Sequence, residues 1–585
     1  MTHQPDSAPD ATRPVDAIAE RYVADYAAAD PVDATYLGIP GYDHTLTDLS
    51  SEGYDARDEL TRSAHASMQQ AEPSDAREQA AKSSFLERLA VEIDQADARA
   101  PQTRISVVVS ELHSIRGSFD LLPKATPDDW SNITARLGAI PSALTDYRRT
   151  LLHGADEGYI SAKRQIAEVA AQVRAWTGQV GEGGDFFANL AREADVPDSL
   201  AADLASGAEQ ARAAYSEFGD FLDDELLPRG RDKEAVGREQ YQRDSRYFLG
   251  AEIDLDETYA WGWEELRRIE TAMAETARAI VPDATSGQGL GAAETTAADA
   301  EAVAAAVAAL DADPARRIHG AASFQAWMQD LADRTVAELA DTHFDIPQPV
   351  HRIECCLAPT HDGGIYYTGP SEDFARPGRM WWSVPDGIDD FSPWREVTTV
   401  YHEGVPGHHL QVAQTAYRKE ILNRWQRTMC WVSGHGEGWA LYAERLMEEL
   451  GYLDDPADRL GMLDAQGLRA ARVVVDIGMH LELEIPTDNP FGFHPGETWI
   501  PELGLEFMRQ HCRMEDAFIR FEVNRYLGWP AQAPSYKVGE RIWLQAREDM
   551  KQRLGADFDL KTFHRAALDL GSLGLDPLRE ALARL

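Results

Sequence analysis

Tyr401-His-Glu-Gly-Val-Pro-Gly-His-His-Leu410 sets a His-Glu pair, a Pro-Gly break and a His-His pair within eight residues. Imidazoles hold zinc, and a carboxylate beside them activates water, so this stretch carries the parts of a zinc hydrolase site. The common pattern, H-E-x-x-H, puts its two histidines one turn apart on one helix face. Here His402 and His408 are six apart, and at about 100° per residue a regular helix turns them to different sides. His402 and His409 would share a face, but they would sit roughly 10 Å apart along the axis. That is too far for two ligands of one ion with bonds of about 2.0–2.1 Å. Pro406 removes a backbone donor and Gly407 tolerates unusual dihedrals. The expectation is therefore a bulged helix that returns His408 toward His402. His408 is the favoured second ligand and His409 the alternative. A lone histidine would read as an ordinary surface residue; this combination does not.

A three-ligand site needs one more donor. In zincins of the glutamate type it comes from a later helix, and the candidate is Glu437 in Gly434-His-Gly-Glu-Gly-Trp-Ala-Leu-Tyr-Ala-Glu444. It follows His408 by 29 residues, enough for a helix end, a turn and a new start. Gly436 and Gly438 would permit close approach, and Trp439, Leu441, Tyr442, Leu446 and Met447 form an apolar helical stripe. Taken alone, Glu437 would read as a solvated acid in a first helical turn; beside the histidine motif it reads as a ligand. Glu444, two turns on, reads as a supporting or structural residue, and His435 is a weaker ligand candidate.

Four stretches in combination resemble the bacterial DUF885 family: His402–Gln411, Glu437–Glu444, Arg472–His480 and Pro530–Gly539. Pro31-Val-Asp-Ala-Thr-Tyr-Leu-Gly38 is similar to the opening of that family. Its members resemble gluzincin-type zinc metallopeptidases. The resemblance implies a mainly α protein with a small β-sheet, zincin-like and oligopeptidase-like, with a deep cleft. It names no substrate.

Arg472, Asp476 and His480 are spaced four apart and share one helix face, among Val473, Val474, Val475, Ile477 and Met479. That setting predicts burial, and buried charges must be paired. Asp476 could accept the second N–H of a zinc-bound histidine, and His480 could reach the substrate oxyanion. Pro530–Gly539 reads as a loop entering a helix, with Ser535 as its N-cap. Tyr536 is the candidate oxyanion donor, with Gln532 and Lys537 as lesser substrate contacts. A tyrosine at such a junction is more often simple packing; the motif around it raises the functional reading.

Residues 352–357, 364–368 and 379–384 are short β-prone runs bounded by Pro and Gly, the expected sheet. Zincins place such a strand above the metal helix, where an extended peptide can add to it. Arg376 or Arg379 could meet a substrate carboxylate.

The net charge of −43, with only eight lysines, repels nucleic acid and anionic membranes. It also fits adaptation to salt. No apolar run reaches membrane-spanning length, the N-terminus reads as lacking a signal peptide, and four cysteines do not make a disulfide scaffold. These features lead to an expected cytoplasmic location, with no nucleic-acid or membrane partner. Residues 1–13 read as a flexible tail and 14–319 as an Ala-rich helical region forming one wall of the cleft. A loop or insertion is expected near 282–313, and residues 320–585 read as the catalytic region.

The expected activity is that of a zinc-dependent hydrolase, a peptidase acting on short peptides. One Zn²⁺ would be held by His402, His408 and Glu437, with Glu403 as general base and Tyr536 and His480 on the oxyanion. The rival readings are a metal-dependent hydrolase of non-peptide amides or esters, and a non-catalytic binding protein that keeps the fold. The sequence leaves the oligomeric state open.

Overall fold

The helix Pro456–Leu481 is buried without interruption from Ala470 to His480. Its start is fixed by Pro456 in the first turn and by Asp455, whose side chain accepts from the Ala457 amide at 2.9 Å. A run of Val473, Val474, Val475, Ile477 and Met479 around the whole circumference is what a helix needs at the middle of a core rather than at its edge.

A computed structural model describes residues 13–181, 184–282, 292–358, 364–385 and 387–584. It is mainly helical with few, short strands. Two units emerge: residues 1–236 with 524–530, and residues 237–523 with 531–585. The expected tail falls almost wholly outside the described residues, as do 283–291 of the expected insertion. The Ala-rich part that follows forms the helix Ala292–Ala312, consistent with alanine's propensity.

The first unit is built of helices alone among its described residues. Pro127–Asp156 opens with a full capping box between Thr126 and Asp129. It packs on Asp198–Phe221 around Leu137, Tyr147, Tyr215 and Phe218.

The second unit contains every element that forms the site below. Leu255–Ile280 lies along the central helix, and both belong to this unit. Ser433–Glu449 runs against Ser535–Leu554. There the backbones of Gly438 and Gly539 come so close that a Cβ on either would strike the other helix.

Among the described residues there are five short strands. β1 (Ile318–His319) pairs antiparallel with β5 (Asp390–Phe391). β2 (Ile353–Leu357), β3 (Ile365–Thr368) and β4 (Gly378–Trp382) form a three-stranded sheet in the order β2-β4-β3, parallel between β2 and β4 and antiparallel between β3 and β4. The three runs read from sequence are these three strands. The outer edge of β2 is covered by side chains of the helix Ala321–Leu339: Gln325 donates to the Cys355 carbonyl, and Gln329 bonds both Ile353 and Cys355. β3 is the other edge.

Candidate metal centre and its cavity

The histidine motif folds as two helices, not as one bulged helix. Pro393–Glu403 ends in the motif's His-Glu pair, and His408–Tyr417 begins with its His-His pair. Residues 404–407 turn between them. The turn is tight because the Gly407 amide bonds the Tyr401 carbonyl and the His409 amide bonds Gly404. A Cβ at Gly407 would collide with the His402 carbonyl, so the position admits only glycine. The Pro406 carbonyl accepts from Trp439 Nε1 at 2.8 Å, which ties the turn to the Glu437 helix. The chain break thus does what the sequence reading asked of a bulge, by a different route.

The two rings stand perpendicular, 4.8 Å between centroids. His402 Nε2 lies 3.3 Å from Glu437 Oε2, and His408 Nε2 lies 3.4 Å from the same oxygen. Donors at about 2.0–2.1 Å from one ion at tetrahedral angles stand roughly 3.3–3.4 Å apart. A Glu403 oxygen also lies within 4.8 Å of a nitrogen on each histidine, so distance alone would admit it as a ligand. Glu437 fits better, because one of its oxygens meets both Nε2 atoms at the spacing a shared ion requires.

Charge supports the fit. Burial works against an imidazolium at His402, yet its hydrogen bonds to Glu437 and Glu444 outweigh that and push its pKa up to about 10. Burial likewise favours a protonated Glu437, but the His408 and His402 side chains drive it well below the usual carboxylate range. The two carboxylates therefore favour positive charge in this nearly dry place, either a proton on His402 or a divalent cation in its stead. His402 Nδ1 lies 2.7 Å from Glu444 Oε1. A carboxylate can only accept, so Nδ1 carries a hydrogen and Nε2 is the nitrogen left to give up its proton to a metal. Glu444 is held in turn by the Thr398 hydroxyl at 2.7 Å and by Gln466. Glu403 is buried with Oε2 unpartnered, and burial raises its pKa. Both features suit a group that takes a proton.

His409 is excluded as a ligand. Its Nε2 donates to the Val350 carbonyl at 2.8 Å, and its Nδ1 accepts from Tyr367 at 2.9 Å. Burial depresses its pKa to about 4, keeping the ring neutral. His435 does not line the cavity below: its Nδ1 accepts from Gln411, and burial lowers its pKa to about 3.

These groups open into a cavity of about 850 Å³, lined wholly by the second unit. His402, Glu403, His408, Glu437, Arg472 and Tyr536 all face it. The Arg472 guanidinium sits 5.2 Å over the Tyr536 ring and pairs with Glu522 at 2.6 Å.

Other expected site residues lie elsewhere. His480 and Asp476 are fully buried and do not line the cavity. Asp476 accepts from the Tyr241 hydroxyl and the Ala531 amide, so it anchors the 531–534 turn and no zinc ligand. Lys537 is buried among Gln466, Glu265 and Glu540. Gln532 is buried beside Ser433. Arg379 pairs with Glu354 on the sheet. Ser535 is the first helical residue rather than the cap, and its hydroxyl bonds the Gln532 carbonyl. Sequence reading missed Arg469 and the apolar wall of Trp431, Met514, Phe518 and Phe521. The signal for Arg469 was the stripe Ala465, Leu468, Arg469, Arg472, which has one-face helical spacing.

The family described as "Bacterial protein of unknown function (DUF885)" matches residues 31–582. The chain belongs to the DUF885 family. No curated protein matches it significantly. Among solved structures, it is similar to the "putative lipoprotein" of Colwellia psychrerythraea, with a TM-score of 0.78, 22% identity, and coverage of 97% of this chain and 99% of that one. It is also similar to a "putative lipoprotein of unknown function" from Shewanella oneidensis, with a TM-score of 0.73, 18% identity, and coverage of 97% and 99%. At these identities the likeness establishes the fold. The expected cytoplasmic location is contradicted by the same comparison, in which both neighbours are described as a "putative lipoprotein". Four cysteines without a disulfide were too weak a sign of compartment. Among the described residues, no helix is long and apolar enough to cross a membrane.

Proposed function

We propose that the chain is a zinc-dependent hydrolase with a zincin-like centre, and that it cleaves short peptides. The observation that carries this reading is the approach of His402 Nε2 and His408 Nε2 to one Glu437 oxygen, at 3.3 and 3.4 Å. The unpartnered Glu403 carboxylate stands beside them in the same cavity.

A zinc ion held by His402, His408 and Glu437 supplies Lewis-acid chemistry, polarising a carbonyl and acidifying water. Glu403 takes a proton from the attacking water as its oxygen bonds the carbonyl carbon. The carbon–nitrogen bond then breaks, and Glu403 returns the proton to the leaving amine. Tyr536, which lines the cavity, donates its phenol hydrogen to the carbonyl oxygen as charge grows there. Glu444 fixes the His402 tautomer and ring plane. His480, buried away from the cavity, takes no part. The β3 residues Ile365, Tyr366 and Tyr367 line the cavity, so an extended peptide can pair along this edge strand. That edge favours a peptide over a compact ester.

The experiment is a peptide-cleavage screen of zinc-loaded protein with Glu403→Gln as control. Chelator-sensitive cleavage that disappears in Glu403→Gln, with zinc retained, supports the proposal. Cleavage that survives the substitution refutes it. Zinc binding with no turnover on peptides, amides or esters favours the binding-protein alternative.

A further inference from the structure

Three arginines line the cavity, and two of them are neutralised. Arg427 pairs with Glu372 at 3.2 Å, and Arg472 pairs with Glu522 at 2.6 Å. Arg469 has no carboxylate partner among the described residues. Its one hydrogen bond runs from Nη1 to the Ala465 carbonyl at 3.2 Å, and its Nε is buried with no acceptor. A guanidinium offers five donors in a planar fork matched to a carboxylate. Leaving the buried Nε without an acceptor is costly unless a ligand supplies one.

Its surroundings narrow the ligand. Arg469 follows Leu468 on the helix stripe that faces the cavity, and Met514, Phe518 and Phe521 line the same cavity. Met514 and Phe521 are each 40% exposed, an apolar surface left open beside a charge. The Arg469 charge also reaches Glu403 and Glu444, on the metal side.

We infer that Arg469 binds the free C-terminal carboxylate of a short peptide or N-acyl amino acid whose last side chain is apolar. Resting on the hydrolase reading above, this places the scissile bond near the C-terminal end. Arg469 is a specificity residue: it selects substrates that end in a carboxylate.

Binding separates this inference from the hydrolase reading. Zinc-loaded Glu403→Gln protein is titrated calorimetrically with acetyl-Ala-Ala-Phe and with its C-terminal amide. The free acid is expected to bind about 100-fold more tightly, the range set by truncating one partner of a buried charge pair. Adding Arg469→Gln should collapse that preference to within a few-fold, while Arg469→Lys, which keeps the charge, should retain part of it. Equal affinities, no binding of either ligand, or an equal loss for both in Arg469→Gln overturns the assignment. An acid preference that depends on Arg469 in a protein that cleaves neither peptide leaves the assignment standing and removes the hydrolase.

Discussion

Glu444 Oε1 accepts a hydrogen bond from His402 Nδ1 at 2.7 Å, inside a core where both side chains are almost fully buried. That contact fixes which nitrogen of His402 faces Glu437. Replacing Glu444 by Gln keeps an acceptor but removes the charge. Zinc affinity should fall about 10- to 100-fold, the usual effect of losing such a supporting carboxylate. A competition titration against a chelator measures it, and unchanged affinity would show that the His402 orientation does not depend on Glu444.

His408 and His409 are neighbours with opposite assignments. His408→Ala should abolish stoichiometric zinc and leave the fold. His409→Ala should keep zinc but destabilise the protein by about 2–4 kcal/mol, because Tyr367 and the Val350 carbonyl lose buried partners. Metal analysis and denaturant unfolding of the two variants decide this. Zinc lost from His409→Ala but kept by His408→Ala would reverse the ligand set.

Gly438 and Gly539 touch backbone to backbone where the Glu437 helix meets the Tyr536 helix. A methyl group there forces the helices apart. Gly438→Ala should therefore cost at least about 2 kcal/mol of stability and weaken zinc binding, since Glu437 is the adjacent residue. Native stability in this variant, read by chemical denaturation, would mean that the contact is looser than described.

His564 carries a stability signature away from the metal. It is fully buried, and its Nε2 meets the Tyr442 hydroxyl at 2.7 Å. Burial, then the nearby Arg547 charge, lowers its pKa from the ordinary 6.5 to about 3. The unfolded chain thus binds a proton between about pH 6.5 and 3 that the native state refuses. The contribution is complete above pH 6.5 and is lost as pH falls toward 3, with a limit on the order of 4 kcal/mol. His564→Phe should flatten the pH dependence of unfolding free energy in that window by up to one proton. An identical slope in both proteins would show that His564 titrates normally when folded.

The convergence of His402, His408 and Glu437 was legible because the chemistry of a metal site restricts residue types so strongly that two His, two Glu and a Pro-Gly break leave few readings. The strands were legible because short β-prone runs lay between clear turn residues. The form of the break was not: a bulge and a two-helix turn both return His408 to His402, and the choice rests on hydrogen bonds from residues 407 and 409 that no spacing rule encodes. Asp476 and His480 misled because a polar stripe on an apolar helix looks the same whether it faces a cavity or a partner such as Tyr241. Arg469 was passed over because its distinction is the lack of a carboxylate partner, a property that exists only once the chain is folded.

The central claim is that one divalent cation is shared by two imidazoles and one distant glutamate. An anomalous difference map from a zinc-soaked crystal tests it most directly. The account predicts a single strong peak at about 2.0–2.2 Å from His402 Nε2, His408 Nε2 and Glu437 Oε2. A peak held by Glu403 in place of Glu437, or no peak at this position at full zinc occupancy elsewhere, would contradict it.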